Sequence, residues 1–187
     1  MSEISAEFYN NPSKNLNMIG VTGTNGKTTT TQLIDFILKF NNYNSTSLGT
    51  LGFSTPSGII STGFTTPESI ELQQILKTLY DGGINYVPME VSSHSIDMHR
   101  VDNVEMNLAL FTNLTIDHLD FHGTMENYFH SKLKLFTNLK EDALAIINAD
   151  DVWSSKIIER IKSSHVTYGI NNKADLKVTN YSLHINY

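Results

Sequence analysis

No cysteine, no cluster of basic residues and no apolar run of membrane-spanning length occurs in this chain of 187 residues. The first absence excludes a disulfide framework and thiol chemistry. The second, with 13 basic against 19 acidic residues and a net charge of −6, argues against nucleic acid or an anionic membrane as the main partner. The third excludes a helical membrane span, which needs roughly 20 apolar residues. The first seven residues, Met1 to Glu7, also lack the basic and apolar regions of a signal peptide, so a cytoplasmic location is expected. Internal repeats and low-complexity segments are absent too. What remains is ordinary globular material, 40% hydrophobic and 17% charged, in a length that suits one α/β domain with a sizeable core.

Residues 1–15 are polar, with a turn at Asn10-Asn11-Pro12-Ser13, and read as a linker or extended lead-in. Strands are predicted at Met18–Thr22, Ser45–Leu48, Ile84–Val91, Met106–Thr112, Ala143–Ile147 and Val166–Tyr168. Between them come a helix from Lys27 carrying Leu33, Ile34, Ile37 and Leu38, and one opened by Thr66 as cap and Pro67 in its first turn. Further helices are predicted over about 125–138 and 152–162, and a loop or hairpin over 53–66. The tail alternates at Leu176-Lys177-Val178 and Leu183-His184-Ile185-Asn186-Tyr187, which predicts antiparallel edge strands. The fold class is therefore α/β: a mainly parallel sheet with helices on both faces. Ligands of such sheets bind beyond the C-terminal strand ends.

At one such end stands Gly20-Val21-Thr22-Gly23-Thr24-Asn25-Gly26-Lys27-Thr28-Thr29-Thr30. Glycines let backbone N–H groups approach phosphate oxygens, and the following helix N-terminus adds positive potential. Lys27 is placed to reach the β/γ-phosphates and Thr28 to bind Mg²⁺. The usual spacing has glycine where this chain has Val21. Glu90 ends the third strand close to the loop, either as a metal ligand or as an acid at a strand end. Asn113 follows the fourth strand. Two histidines and two aspartates fall in Asp117-His118-Leu119-Asp120-Phe121-His122. They suit a hard-cation or general-base site, or aspartates capping a helix. Lys132 shares the apolar stripe of Met125, Tyr128, Leu135 and Phe136. It reads either as a lysine snorkelling at the core's rim or as a desolvated, neutral amine able to take up CO₂.

Gly23-Thr24-Asn25-Gly26-Lys27-Thr28-Thr29 resembles the shortened ATP loop of the Mur ligases, which accounts for Val21. Thr65-Thr66-Pro67-Glu68, Met89-Glu90-Val91-Ser92-Ser93-His94, His99-Arg100 and Asp117 to Gly123 narrow the resemblance. They are similar to the members that add a diamino acid, diaminopimelate or lysine, to UDP-N-acetylmuramoyl-L-alanyl-D-glutamate. The resemblance implies that Gly23, Thr24, Asn25, Gly26, Lys27, Thr28 and Thr29 hold ATP. It implies that Thr28 and Glu90 bind one Mg²⁺, and that Glu90, His118 and a carboxylated Lys132 bind a second. Thr65, Thr66, Ser92 and Arg100 would contact the UDP-muramoyl peptide, and Asn113 would sit near the γ-phosphate. Met98 stands where the family often carries glutamine.

The implied reaction is attack of the D-glutamyl carboxylate on the γ-phosphate, giving an acyl phosphate that the incoming amine then displaces. The resemblance places residues 16–187 in the central ATP-binding domain, incomplete at its C-terminal end. It implies that the family's uridine-binding N-terminal and amino-acid-binding C-terminal domains are absent from this sequence. Such a chain is expected to bind ATP and Mg²⁺ without ligating alone. Other readings are a non-catalytic nucleotide-binding remnant or assembly module, another ligase of the superfamily such as folylpolyglutamate synthetase, and a generic P-loop hydrolase.

Overall fold

The computed structural model describes residues 1–55 and 58–182. In chain order its elements are α1 (Ser2–Phe8), a 3-10 turn (Pro12–Asn15), β1 (Asn17–Thr22), α2 (Lys27–Phe40), β2 (Phe53–Thr55), β3 (Gly58–Ile60), α3 (Ser69–Asp81) and β4 (Tyr86–Glu90). They continue with α4 (Ser93–Asp97), β5 (Leu108–Phe111), α5 (Leu119–His122), α6 (Met125–Thr137), β6 (Leu144–Asn148), α7 (Ser154–Ile158), β7 (Ser164–Gly169) and β8 (Leu176–Lys177). Six strands form one parallel sheet in the order β4-β1-β5-β6-β7-β8. β2 and β3 form a separate antiparallel hairpin. No helix among the described residues is long and apolar enough to cross a membrane.

Ser45–Leu48 runs parallel to β4 yet makes only isolated bridges, and a proline explains why. Tyr86 and Glu90 donate to Asn44 O and Leu48 O, while Thr46 and Leu48 donate to Tyr86 O and Pro88 O. The rung that is missing from this alternation is the one Pro88 would donate, because proline has no N–H.

Three expectations are corrected. Residues 1–15 are not an extended lead-in: α1 packs on α3 through Ser2, Ser5 and Ala6, with Ile4 and Phe8 outward. Small residues on the inner side permit the approach and hide the apolar periodicity that would have announced a helix. Thr66 does not cap α3, whose N-cap is Glu68. Its hydroxyl is drawn to the end of β4 instead, donating to Glu90 O at 2.9 Å and accepting from Ser92 N at 3.2 Å. The tail is not antiparallel at Leu176-Lys177, since β8 pairs parallel with β7. Asp175 sets that register by accepting from Thr167 N and Oγ1 at 2.8 and 2.7 Å. The Leu183–Tyr187 segment lies outside the described residues.

Right-handed crossovers put α2 on one face of the sheet and the remaining connecting helices on the other. The coverage is unequal. Ala109, Phe111, Ala145 and Ile147 are fully buried on the many-helix face. Leu108, Leu110, Leu144 and Ile146, which alternate with them along β5 and β6 and so lie on α2's face, are only half-buried.

The orientation of α2 departs from its apolar pattern. Thr31 and Asp35 are its buried residues, while Leu33 and Ile37 are more than half exposed. The phosphate loop fixes this rotation. Thr28 must face Glu90, and Thr31 and Asp35, three and seven residues on, follow it onto the inner side. Asp35 is satisfied there by Ser45 Oγ at 2.6 Å and Lys39 Nζ at 2.7 Å.

Candidate active site

The loop after β1 is shaped by two glycines. A Cβ at Gly23 would stand 1.8 Å from Thr112 Oγ1, and Gly26 caps α2 at φ +84°. Both positions favour glycine for space or for left-handed backbone. Asn113 clamps the turn from the neighbouring strand. It accepts from Asn25 N at 2.9 Å, donates from Nδ2 to Asn25 O at 3.2 Å, and its carbonyl accepts from Thr24 N at 2.9 Å. Lys27 begins α2 as the sequence predicts and folds back over the loop, donating to Gly23 O at 2.9 Å and Thr24 O at 3.0 Å. Burial lowers its pKa from the ordinary lysine value, with Glu90 and Asp117 opposing. Anionic phosphates would offer this ammonium a stronger partner than two carbonyls. Asn25, Gly26 and Thr29 are exposed along the same turn.

Thr28 Oγ1 donates to Glu90 Oε2 at 2.9 Å. Glu90 is 1% exposed and is held from its other side by Thr50, whose N donates to Oε1 at 2.8 Å. Gly49 makes the room: a Cβ there would lie 2.2 Å from Glu90 Oε1. A buried carboxylate and a hydroxyl in contact beside a phosphate loop are the hard oxygen donors that Mg²⁺ takes.

Lys132 is 1% exposed on α6, so it is not a snorkelling rim residue. Its Nζ donates to Gly23 O at 3.0 Å and sits 4.6 Å from the centre of the Tyr128 ring. No salt bridge reaches it among the described residues. Burial pushes its amine well below the usual lysine range, Lys27 pushes it further, and Asp117 opposes. A neutral buried amine is the form that reacts with CO₂, and the carboxylate so formed would replace a cation by an oxygen ligand. Among the described residues no group of three His, Asp or Glu side chains is placed to hold a metal, so a hard-cation site built on Glu90 and His118 would need a further ligand, which a carboxylated Lys132 would supply.

His118 occupies the N-cap of α5 in left-handed conformation, φ 52°. That conformation costs a non-glycine residue of order 1 kcal/mol or more and turns the ring toward the cleft. One cleft of about 300 Å³ is lined by Lys27, Thr65, Thr66, Ser92, Arg100 and His118, together with Phe64, His94 and Met98. Six predicted site residues thus meet in one place. Arg100 donates to Thr66 O at 3.1 Å, pairs with Glu68 at 2.5 Å and stacks on Phe64 at 5.3 Å, with its buried Nε lacking a hydrogen-bond partner. Thr65 joins Thr50 hydroxyl to hydroxyl at 3.1 Å. Sequence reasoning left His94 and Phe64 out of the site. His94 was visible in the Ser92-Ser93-His94 run; Phe64, in a loop without periodicity, gave no signal.

A strand, a glycine-rich turn and a lysine-led helix at the C-terminal edge of a parallel sheet define a P-loop α/β domain. Residues 21–186 match the family model described as Mur ligase middle domain. The chain belongs to the Mur ligase family. It is 45% identical over 181 residues to the UDP-N-acetylmuramoyl-L-alanyl-D-glutamate–2,6-diaminopimelate ligase of Clostridium botulinum, covering 97% of this chain and 37% of that protein. A solved structure of a ligase of the same name superposes with a TM-score of 0.84 at 28% identity, covering 96% of this chain and 38% of the other. A Mycobacterium tuberculosis folylpolyglutamate synthase complexed with ADP and AMPPCP shares the fold, with a TM-score of 0.68 at 16% identity over 89% of this chain and 46% of its own. The chain therefore spans little more than a third of the length of the ligases it matches.

Proposed function

We propose that this chain is the ATP-binding part of a ligase of peptidoglycan precursor synthesis. That ligase joins a diamino acid to UDP-N-acetylmuramoyl-L-alanyl-D-glutamate in the cytoplasm. The observation that carries the reading is the single cleft in which Lys27 and His118 face Thr65, Thr66, Ser92 and Arg100. Nucleotide-side and peptide-side residues must share one space if a carboxylate is to meet a γ-phosphate in line. The names of the relatives at 45% identity specify 2,6-diaminopimelate as the amine, which makes it the first candidate here. The ADP complex of the folylpolyglutamate synthase neighbour supports an adenine nucleotide.

Backbone N–H groups from Gly23 to Thr29 cradle the phosphates, and Lys27 neutralises charge that moves onto the β/γ-bridge. Asn113 fixes the loop and so the γ-phosphate. Arg100, buried in the wall of the cleft, orients the carboxylate-bearing peptide with Thr65, Thr66 and Ser92. Thr28 and Glu90 would hold one Mg²⁺, and Glu90, His118 and carboxylated Lys132 a second; such ions would supply charge neutralisation at the transferring phosphoryl group. The 187-residue chain by itself is proposed to bind ATP without completing ligation, because the resemblance assigns amine binding to a further domain.

Titration with UDP-N-acetylmuramoyl-L-alanyl-D-glutamate in the presence of a non-hydrolysable ATP analogue tests the assignment. The unaltered chain is expected to bind, and Arg100→Ala to bind at least about tenfold more weakly, the loss of one charge-assisted contact. Equal binding by both would refute the peptide side of the site. Robust amide formation from ATP, this dipeptide and diaminopimelate by the chain alone would refute its incompleteness.

A further inference from the structure

Behind the cleft lies a buried cluster that the proposed reaction does not use. His122 Nε2 is 2.9 Å from Ser93 Oγ, and its Nδ1 is 3.4 Å from Asp97 Oδ2. The connectivity is that of a hydrolytic Ser-His-Asp triad, but Ser93 is 2% exposed and its carbonyl is tied to Ser131 Oγ at 2.9 Å. No substrate can reach that hydroxyl, so the triad works as a brace. What it braces is Tyr128, on which the His122 ring stacks at 4.7 Å and 22°.

Tyr128 is 1% exposed and touches both halves of the phosphate machinery. One ring face lies under Lys132 Nζ, and the edge meets the His118 ring at 6.0 Å. Its hydroxyl is 3.3 Å from Thr24 Oγ1 in the phosphate loop. Thr24 Oγ1 accepts from Thr115 N at 3.0 Å and lies 3.3 Å from Thr115 O. Thr24 and Tyr128 share one buried hydroxyl-to-hydroxyl hydrogen bond. The chain of contacts Ser93/Asp97–His122–Tyr128–Thr24 thus joins α4, α5 and α6 to the loop after β1.

We propose that Tyr128 is a positioning residue that sets the phosphate loop, through Thr24, relative to Lys132 and His118. The proposal rests on the functional reading above, since it gives that site its internal register. An unanchored Thr24 would let the Gly23–Asn25 backbone drift away from Lys132 Nζ, which holds Gly23 O, and would loosen the phosphate cradle. A rigid supporting shell of this kind is what lets a binding constellation keep its geometry.

The test is a double-mutant cycle read in nucleotide affinity. Calorimetric titration of ATP with Mg²⁺ is performed on the unaltered chain, Tyr128→Phe, Thr24→Val and the double variant, with thermal midpoints recorded for each. Tyr128→Phe keeps the ring and the stack on His122 and removes only the hydroxyl. The expected result is a loss of about five- to tenfold in affinity for each single variant, with the double variant no worse than either. Thr24→Ser, which keeps the hydroxyl, is expected to lose clearly less affinity than Thr24→Val; this comparison stands even if Tyr128→Phe folds poorly. Unchanged affinity in Tyr128→Phe, multiplicative losses in the double variant, or equal losses in Thr24→Ser and Thr24→Val would overturn the positioning role while leaving the site intact. Absence of nucleotide binding by the unaltered chain would overturn the functional reading and this proposal with it.

Discussion

Lys132 shows how a single residue can be costly for the fold and yet suit the proposed site. Its folded pKa lies well below the ordinary 10.5 because burial and Lys27 disfavour the charge. Between the folded value and 10.5 the unfolded chain binds the extra proton, so stability rises with pH across that window and is lowest on its acid side. Lys132→Met removes the buried amine and keeps the volume. In CO₂-free buffer the variant is expected to be more stable near neutral pH, by about 1–4 kcal/mol, and to lose this contribution to the alkaline rise, as read by denaturant melts across pH. The same variant is expected to bind ATP with Mg²⁺ less tightly. A variant less stable than the parent at neutral pH would contradict the account of the amine. The glycine-lysine-threonine loop and Glu90 were legible in the sequence because each is a residue type that its place in a strand-loop-helix pattern makes conspicuous. The burial of Lys132 was not, since its place in an apolar stripe fits a snorkelling lysine equally well. Tyr128 was not, since an aromatic in an apolar stripe looks like core until its hydroxyl is seen against Thr24.

At the scale of elements, the site overrules pattern. The Thr28 contact with Glu90 turns α2 so that Leu33, Phe36, Ile37 and Phe40 face outward, with Phe36 and Phe40 stacked at 6.3 Å. Periodicity recorded that α2 is a helix but not which way it is rotated, because tertiary contacts at its first turn decide that. A Phe36→Glu, Phe40→Lys pair is therefore expected to change stability by less than about 1 kcal/mol and to reduce concentration-dependent association in sedimentation velocity. A loss of several kcal/mol would mean that the face is buried. The turn before the β2–β3 hairpin is the opposite case. Gly49→Ala drives a Cβ into the Glu90 carboxylate and is expected to lower stability by about 1–3 kcal/mol, read from the thermal midpoint, and to weaken Mg²⁺-dependent nucleotide binding. An unchanged midpoint would contradict the packing described at Glu90.

Over the whole molecule, alternating strands and helices were enough to predict a parallel sheet with ligands at its C-terminal edge, and the loop, Glu90 and Asn113 do converge there. The unequal covering of the two faces was not legible, because strand periodicity reports that a residue is apolar and not what lies over it. α1 escaped for a related reason, since its inner side is built from serine and alanine. The proposed ligase role depends on the P-loop edge being a working nucleotide site. Isothermal titration of ATP with Mg²⁺ into the 187-residue chain and into Lys27→Ala tests that most directly. The prediction is saturable one-to-one binding by the unaltered chain and at least about tenfold weaker binding by Lys27→Ala, the loss of a charge-assisted phosphate contact. No binding by the unaltered chain, or equal binding by both, would contradict it.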